Sequence, residues 1–290
     1  SAAGLRALTE LGRGEEWLVE PQRLDEDGLL WSPGVRLGVS PSSGFWEDAV
    51  GVPVIGVAHA HLLSEAIAMQ NAPGSGAVAG LQSNDSQETL SWLGAVEAAA
   101  LSINRPTTGA RIERQPGGGW NDAVMGLSAL SGGPNWLIAQ GAWRPHTGTR
   151  SQTLHLRGLD PEVQLLIEAG QSSLGYEEFD AVRRAALSDA LVWKTSFGAP
   201  RDELGLGIER DLLRYAPVPT QLRLAEGGSL AELLRVIAAA LLVRAPITIS
   251  TGEVLPAEVS ALLARLGVEV SLERDDDWVE RLAVSGPVGA

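Results

Sequence analysis

Residues 53–81, with the sequence PVIGVAHAHLLSEAIAMQNAPGSGAVAGL, alternate between the two kinds of secondary structure that decide the fold. The apolar run 54–57 predicts a strand, the amphipathic stretch 62–71 predicts a helix, and 76–81 predicts a second strand. A strand, a helix and a strand in this order usually form a parallel pair joined by a crossover helix. The stretch therefore indicates an α/β fold with a largely parallel sheet.

The same rhythm continues on both sides of this stretch. Strands are predicted at 17–19 and 35–39, before it. After it, we expect a helix at 86–98 with Ser86 as its N-cap, and a further strand at 101–103. These elements make up a first segment, residues 1–141.

Residues 105–145 differ from their surroundings because glycine and turn signals are dense there. Many glycines in one stretch are typical of backbone that passes close to a ligand or to another element. A meandering surface loop explains the composition equally well, and composition alone leaves both interpretations open.

The second half of the chain divides into a helical segment and a small α/β module. Helix predominates from 161 to 197, which predicts a helical connector over 142–218. The module, 219–290, alternates strand, helix, strand, helix, strand and ends in a short acidic helix, which predicts a small parallel sheet. Within it, Ser229 and Glu232 have the spacing of a capping box at the start of the first helix.

Composition and charge exclude several classes of function. The chain has 290 residues and a net charge of −14, which argues against nucleic acids and anionic membranes as partners. Its apolar runs are shorter than the ~20 residues that span a bilayer, and no signal segment opens the sequence. The chain has no cysteine, which removes disulfides and thiolate metal sites. We therefore expect a cytoplasmic protein without a metal site.

Residues 104–120, with the sequence NRPTTGARIERQPGGGW, resemble a known signature. It closes the L-glutamate γ-semialdehyde dehydrogenase half of the bifunctional proline utilisation A family, within the aldehyde dehydrogenase superfamily. The segments that support the resemblance follow the family's order and approximate spacing: 16–21, 29–38, 53–57, 65–71 and 132–135. The resemblance covers residues 1–141, and residues 151–290 resemble the C-terminal extension of long family members. It implies an incomplete aldehyde-dehydrogenase-like catalytic domain.

The resemblance implies NAD-dependent oxidation of an aldehyde to a carboxylic acid. A cysteine thiolate attacks the aldehyde, and hydride passes to the nicotinamide. In the family, this cysteine, the dinucleotide-binding glycines and the general-base carboxylate lie upstream of the region that aligns with Ser1. We therefore assign no catalytic residue, and expect no cofactor in this chain alone and NAD only if another chain completes the site.

Three positions at which the family has site residues are altered in this sequence. The family's Glu-x-Phe-Gly-Pro motif aligns with residues 49–53, so that Ala49 replaces the glutamate that binds the nicotinamide ribose, and Gly51 replaces the phenylalanine. Gly117 stands where the family has a phenylalanine that walls the aldehyde pocket. Glu47 and Asp48 are near, but on a strand a shift of one residue turns a side chain to the other face.

The family's anchor turn persists as Thr108, Gly109 and Ala110. In the family, the backbone N–H groups of this turn hold the substrate carboxylate, and backbone donors do not depend on side-chain identity. We therefore expect these three residues to form a vestigial substrate-binding turn; a simple glycine turn is the alternative.

His59 and His61 would share one face if the strand at 54–57 continued through them. Two imidazoles are a possible start for a zinc site, which usually needs a third protein ligand. The sequence offers no third ligand, so solvation at the end of a strand is the favoured interpretation.

Three hypotheses about function follow from the sequence. The leading one is a degenerate, non-catalytic unit with a structural or partner-binding role, because an incomplete α/β domain leaves apolar surface to be covered by a protein partner or a homo-oligomer. The second is one half of a split glutamate-semialdehyde dehydrogenase that another chain completes. The third is a small-ligand site at the carboxyl ends of the last strands, near 225–228 and 250–252.

Overall fold

The structure is a computed structural model that describes residues 1–109, 119–124, 136–142, 144, 155–202 and 204–285. The chain divides into two compact units, Ser1–Arg144 and Pro145–Ala290. Both units combine helices with parallel strand pairs, so the α/β fold predicted from the sequence is confirmed.

The first unit contains two small sheets. The strands are β1 (Glu16–Val19), β2 (Gly34–Leu37), β3 (Val54–Val57), β4 (Val78–Leu81) and β5 (Ala100–Ile103). The helices are α1 (Ala2–Thr9), α2 (Phe45–Asp48), α3 (Leu63–Asn71) and α4 (Ser86–Ala95). In the first sheet β2 pairs with β1 antiparallel and with β3 parallel, and β4 and β5 form a separate parallel pair.

Two features of the first unit differ from the sequence predictions. Helix α1 was not predicted, although Ser1 caps it by accepting a hydrogen bond from Gly4 N. The N-cap of α4 is Asp85, and not Ser86, because the Asp85 carboxylate accepts hydrogen bonds from the backbone N–H groups of Gln87 and Glu88. A carboxylate also suits the positive end of the helix dipole better than a hydroxyl does.

A buried arginine organises the core of the first unit. The Arg36 side chain is 3% exposed, and its guanidinium donates to Glu15 Oε2 at 2.9 Å and to the carbonyl oxygen of Ala7 at 2.7 Å. The same guanidinium lies over the rings of Trp17, at 4.7 Å from the ring centroid, and Phe45, at 4.4 Å. Arg36 thereby ties β2 to α1, to β1 and to α2.

The second unit consists of packed helices on a small parallel sheet. Its helices are α5 (Pro161–Gly170), α6 (Tyr176–Val192), α7 (Leu230–Val243), α8 (Ala257–Arg265) and α9 (Asp275–Ser285). Its strands are β6 (Arg201–Asp202), β7 (Leu212–Leu213), β8 (Thr220–Leu224), β9 (Ile247–Thr251) and β10 (Glu269–Leu272). The order β10–β9–β8 is parallel throughout, and β6 pairs with β7 as an antiparallel ribbon.

One hydrophobic core joins the helices of the second unit to one face of this sheet. Its fully buried members include Leu166 on α5, Ile237 on α7, Ile249 on β9 and Leu263 on α8. The predicted helical connector, 142–218, and the predicted module, 219–290, both contribute to this core. The division of the chain into three segments stays a prediction.

Helix α7 begins as its sequence predicts. The Ser229 hydroxyl accepts a hydrogen bond from Glu232 N at 3.4 Å. The helix ends at Arg244, which adopts the left-handed conformation with φ 58°. Among the described residues, no helix is both long and apolar enough to span a bilayer.

We predict that Arg36→Met destabilises the first unit by about 3–5 kcal/mol, because it leaves the Glu15 carboxylate buried without its cationic partner. Chemical unfolding followed by circular dichroism would measure the change. The matched control is Arg6→Met, which removes the more exposed pair that Arg6 forms with Asp48. The control should change stability far less, since exposed ion pairs contribute little; equal effects would contradict the central role of Arg36.

Candidate functional site

The predicted substrate anchor lies at the carboxyl end of the β4–β5 pair. Asn104 ends β5 with φ 55°, and its side-chain amide accepts from Ser83 N at 2.9 Å and donates to Ser83 O at 2.8 Å. Thr108 and Gly109 follow on the surface, and Gly109 has φ 76°. Ala110 lies outside the described residues. The hydrogen bonds between Asn104 and Ser83 thus link the carboxyl ends of β4 and β5 next to a surface turn. The substrate role of this turn stays a prediction.

The altered family positions 49 and 51 lie in a tight turn between α2 and β3. Ala49 directly follows α2 with φ −77°, and Gly51 has φ 81° with open space where a Cβ would stand. The third altered position, Gly117, lies outside the described residues. Whether the three changes affect function stays a prediction.

Neither carboxylate next to Ala49 lies on a strand. Glu47 and Asp48 are both in helix α2, so the expected strand geometry at these residues was wrong. Asp48 is bound to Arg6, whose Nη2 donates to Asp48 Oδ1 at 2.6 Å and whose Nε donates to Oδ2 at 2.9 Å. Glu47 is exposed.

His59 and His61 follow β3 on the surface. Their rings meet edge to face, with centroids 4.9 Å apart. Within the described ranges, no group of three His, Cys, Asp or Glu side chains could hold a metal ion.

The first sheet has one open apolar face, which consists of Val19, Val35, Leu37, Ile55 and Val57. Val35 pairs directly with Val19 and with Ile55, and Leu37 pairs with Val57, so the five side chains point the same way. Ile55 is 65% exposed, Val19 48% and Val57 40%. Strands of parallel pairs are usually covered on both faces. This face is therefore an unusual amount of aliphatic surface to leave in water.

The opposite face of the same sheet is covered. Arg36 pairs with Trp17 on one side and with Gly56 on the other, and these three residues lie beneath α1 and α2. The ring of Phe45 occupies the position of a Cβ on Gly56, so any larger residue there would push α2 away.

The second sheet carries a polar layer on the face opposite its core. The polar layer consists of Arg223, Ser250, Glu273, Asp275 and Arg281. The Arg223 guanidinium donates to Ser250 Oγ at 2.5 Å and to Asp275 Oδ1 at 2.5 Å. Ser250 Oγ donates to Glu273 Oε1 at 2.6 Å, and Arg281 binds Glu273 through Nη2 at 2.7 Å and Nε at 3.1 Å.

Hydrogen bonds in the polar layer lower the pKa values of both its carboxyl groups. Hydrogen bonds from Arg281 and then from Ser250 lower the pKa of Glu273 to about 2. The hydrogen bond from Arg223 lowers the pKa of Asp275 below its usual value. Since Glu273 is a very weak base, it does not activate the Ser250 hydroxyl as a nucleophile. The polar layer is therefore suited to holding α9 against the sheet and not to proton transfer.

The loops at the carboxyl ends of β8 and β9 are close to one another. Glu253 Oε1 accepts a hydrogen bond from Gly227 N at 2.9 Å, and Gly252 N donates to Leu224 O at 2.8 Å. A cavity of about 470 Å³ opens beside them; its lining residues are Gly252, Glu253, Val254, Leu272, Glu273, Arg274 and Asp277. The expected small-ligand site near 225–228 and 250–252 stays a prediction.

Comparison with known proteins agrees with this architecture. Residues 6–136 match the aldehyde dehydrogenase family. The 2,5-dioxopentanoate dehydrogenase of Saccharolobus solfataricus is 30% identical to this chain over 108 residues, which are 36% of this chain and 23% of that protein. The structure of Proline Utilization A (PutA) from Corynebacterium freiburgense aligns with 94% of this chain at a TM-score of 0.75 and 32% identity.

These matches show that the first half of the chain is similar to the aldehyde dehydrogenase family. More particularly, the chain has a fold like that of part of PutA and is related to that proline-catabolic protein. It spans only 28% of the PutA chain and about a quarter of the dehydrogenase. The resemblance to the proline utilisation A family is thus supported at the level of family domain and fold.

The low pKa of Glu273 predicts how the stability of the second unit depends on pH. Because the folded-state pKa of Glu273 is about 2 and its ordinary value is 4.5, the ionised carboxylate stabilises the fold above pH 4.5, and this stabilisation is lost as the pH falls toward 2. We expect Glu273→Gln to destabilise the second unit by about 1–2 kcal/mol at pH 7. In urea unfolding the difference between wild type and variant should be constant from pH 7 to about pH 5 and less than half as large at about pH 3. A difference that does not change with pH would contradict the assignment.

Proposed function

We propose that this chain is a non-catalytic, aldehyde-dehydrogenase-derived unit of proline catabolism that acts by binding a protein partner. The partner is the part of an aldehyde dehydrogenase that carries the nucleotide-binding and cysteine-bearing segments. It covers the open apolar face of the first sheet.

The observation that carries this proposal is the open apolar face itself. Its five aliphatic side chains form two adjacent cross-strand rows, and the sheet's opposite face is already occupied by Arg36, α1 and α2. Burying an aliphatic side chain contributes roughly 1.5–3 kcal/mol. Glu16 lies at the edge of this face, opposite Leu37. The aliphatic part of the face is complementary to the aliphatic face of helices, which normally cover parallel strands in α/β folds.

The size of the similar proteins supports the choice of partner. The chain covers 28% of PutA and 23% of the 2,5-dioxopentanoate dehydrogenase, so most of each of those proteins has no counterpart in the aligned region. A complementary dehydrogenase segment would supply the helices that the open face needs. We infer docking of such a segment over docking of an unrelated protein.

The residues at the family's site positions support a non-catalytic role. Ala49 offers no carboxylate to a nicotinamide ribose, and the neighbouring Asp48 is engaged by Arg6. The sequence contains no cysteine that could act as the nucleophile. Thr108 and Gly109 keep the anchor turn, which alone would hold a substrate carboxylate and would not transform the aldehyde.

A second candidate function is one half of a working NAD-dependent L-glutamate γ-semialdehyde dehydrogenase, completed by its partner. The likeness to PutA at 32% identity favours it. Both candidate functions use the same docking surface. In the non-catalytic unit docking does not complete an active site, whereas in the split enzyme it does. In that case the partner supplies NAD binding and the thiolate, and Thr108, Gly109 and Ala110 supply backbone donors for the substrate carboxylate.

We predict that Ile55→Lys weakens binding of a cysteine-bearing dehydrogenase segment at least tenfold, because it places a charge at the most exposed side chain of the open apolar face. Titration calorimetry or light scattering with the purified segment would measure the change. The matched control is Leu90→Lys on α4, since Leu90 is 63% exposed and Ile55 65%. The control should bind within about twofold of the wild type.

Two results would overturn the docking proposal: absence of binding by the wild-type chain, or equal weakening by both variants. Formation of NADH from glutamate semialdehyde separates the two candidates. No turnover by the bound complex supports the non-catalytic unit, and turnover that Ile55→Lys abolishes supports the split enzyme.

A further inference from the structure

Helix α9 is held to the second unit in an unusual way. None of its residues is buried, whereas α7 and α8 each bury fully enclosed side chains such as Ile237 and Val259. Two of its aliphatic residues, Val279 and Val284, are 59% and 81% exposed. Only partly buried apolar residues, Trp278 and Leu282, remain to anchor α9, so its apolar anchoring is weaker than that which normally fixes a helix to its sheet.

Polar contacts take the place of apolar ones. Arg281 on α9 binds Glu273 with two hydrogen bonds, at 2.7 and 3.1 Å. Asp275, the first residue of α9, binds Arg223 on β8, and the Trp278 ring lies 5.5 Å from that guanidinium. These contacts cover the sheet at Ser250, whose side chain is fully buried.

Several donors in this interface remain without a partner. Arg223 Nε, Trp278 Nε1 and Arg281 Nη1 are buried, and none has a hydrogen-bond partner within the part of the chain that the structure describes. A buried donor without a partner opposes the docking that buries it. Thr248, on the same face of the sheet as Ser250, has an unpartnered buried hydroxyl as well. The closed position of α9 is thus favoured by a few ionic contacts and opposed by desolvation.

We propose that α9 is a releasable strap, which detaches as a unit from the polar face of the second sheet while the core of α5 to α8 stays folded. Release uncovers Ser250 and the guanidinium of Arg223. Because the closed state is held by ion pairs at the edge of the unit, dissolved salt screens it and shifts the equilibrium toward release. This strap lies within the second unit and is independent of the docking surface proposed for the first.

The absence of cysteine from the sequence permits a sharp test. Ser250→Cys places a single thiol beneath α9, and Thr251→Cys places one on the opposite, helix-covered face of the same strand. Both native residues are buried, at 0% and 1% exposure. We expect the Ser250→Cys thiol to react with a thiol reagent at least about tenfold faster than the Thr251→Cys thiol, since release of α9 exposes only the first. Raising the concentration of sodium chloride should accelerate only the first.

A second substitution tests which contact holds the strap. In the Ser250→Cys background, Arg281→Met should accelerate labelling about tenfold, because it removes the two bonds to Glu273 and keeps an apolar stem. The matched control is Arg274→Met, which removes the pair between Arg274, directly before α9, and Asp277 in α9; these side chains are 71% and 55% exposed. We expect labelling in that variant to stay within about twofold of the parent.

Equal labelling rates for the two thiols, insensitive to salt, would overturn the strap, because they would mean that Ser250 is reached only when the whole unit unfolds. Hydrogen exchange of the unmodified chain removes any dependence on the cysteine variants. The amides of α9 should exchange at least about tenfold faster than those of α7, with a salt dependence that α7 lacks. Exchange of α9 and α7 at one common rate would refute the proposal.

Discussion

Every strand of a β-sheet presents side chains to two faces, and each face must suit what lies on it. In the first unit, one face suits a buried guanidinium: Arg36 donates to Glu15 and to main-chain carbonyl groups and stacks on aromatic rings, while its buried Nε has no hydrogen-bond partner among the described residues. Removal of Arg36 would leave the Glu15 carboxylate buried without its cationic partner, so the packing of α1 and α2 on the first sheet depends on that contact. The other face is largely aliphatic and open, and it is the surface on which the proposed docking depends.

In the second unit, too, the two faces of the sheet differ in chemistry and in what covers them. Its core face is largely aliphatic and covered by α7 and α8. Its second face carries Arg223, Ser250 and Glu273 and, in the part of the chain that the structure describes, is covered by α9. Buried aliphatic side chains hold a helix in place because exposing them to water is unfavourable. Ion pairs compete with water and salt, so a helix held by them is easier to release.

Local signals in the sequence were sufficient to predict most strands and helices, since the periodicity of 54–57 or the capping box at Ser229 involves neighbours in the chain. Contacts between distant residues were not predictable in this way. Arg36 binds residues 21 and 29 positions away, and Arg223 reaches Asp275 across 52 positions. The open apolar face was expected only in general terms, because the register of β1, β2 and β3 decides which residues share it.

The change at the family's site positions extends to the backbone. Gly51 has φ 81°, a conformation that a phenylalanine, which the family has at this position, rarely adopts. Ala49 follows directly on helix α2, whose Asp48 is held by Arg6. A phenylalanine at 51 would therefore strain this turn, whereas the αR backbone of Ala49 is compatible with a larger side chain. The conformation of the turn between α2 and β3 thus depends on glycine at position 51, and the family's phenylalanine would require a different backbone there.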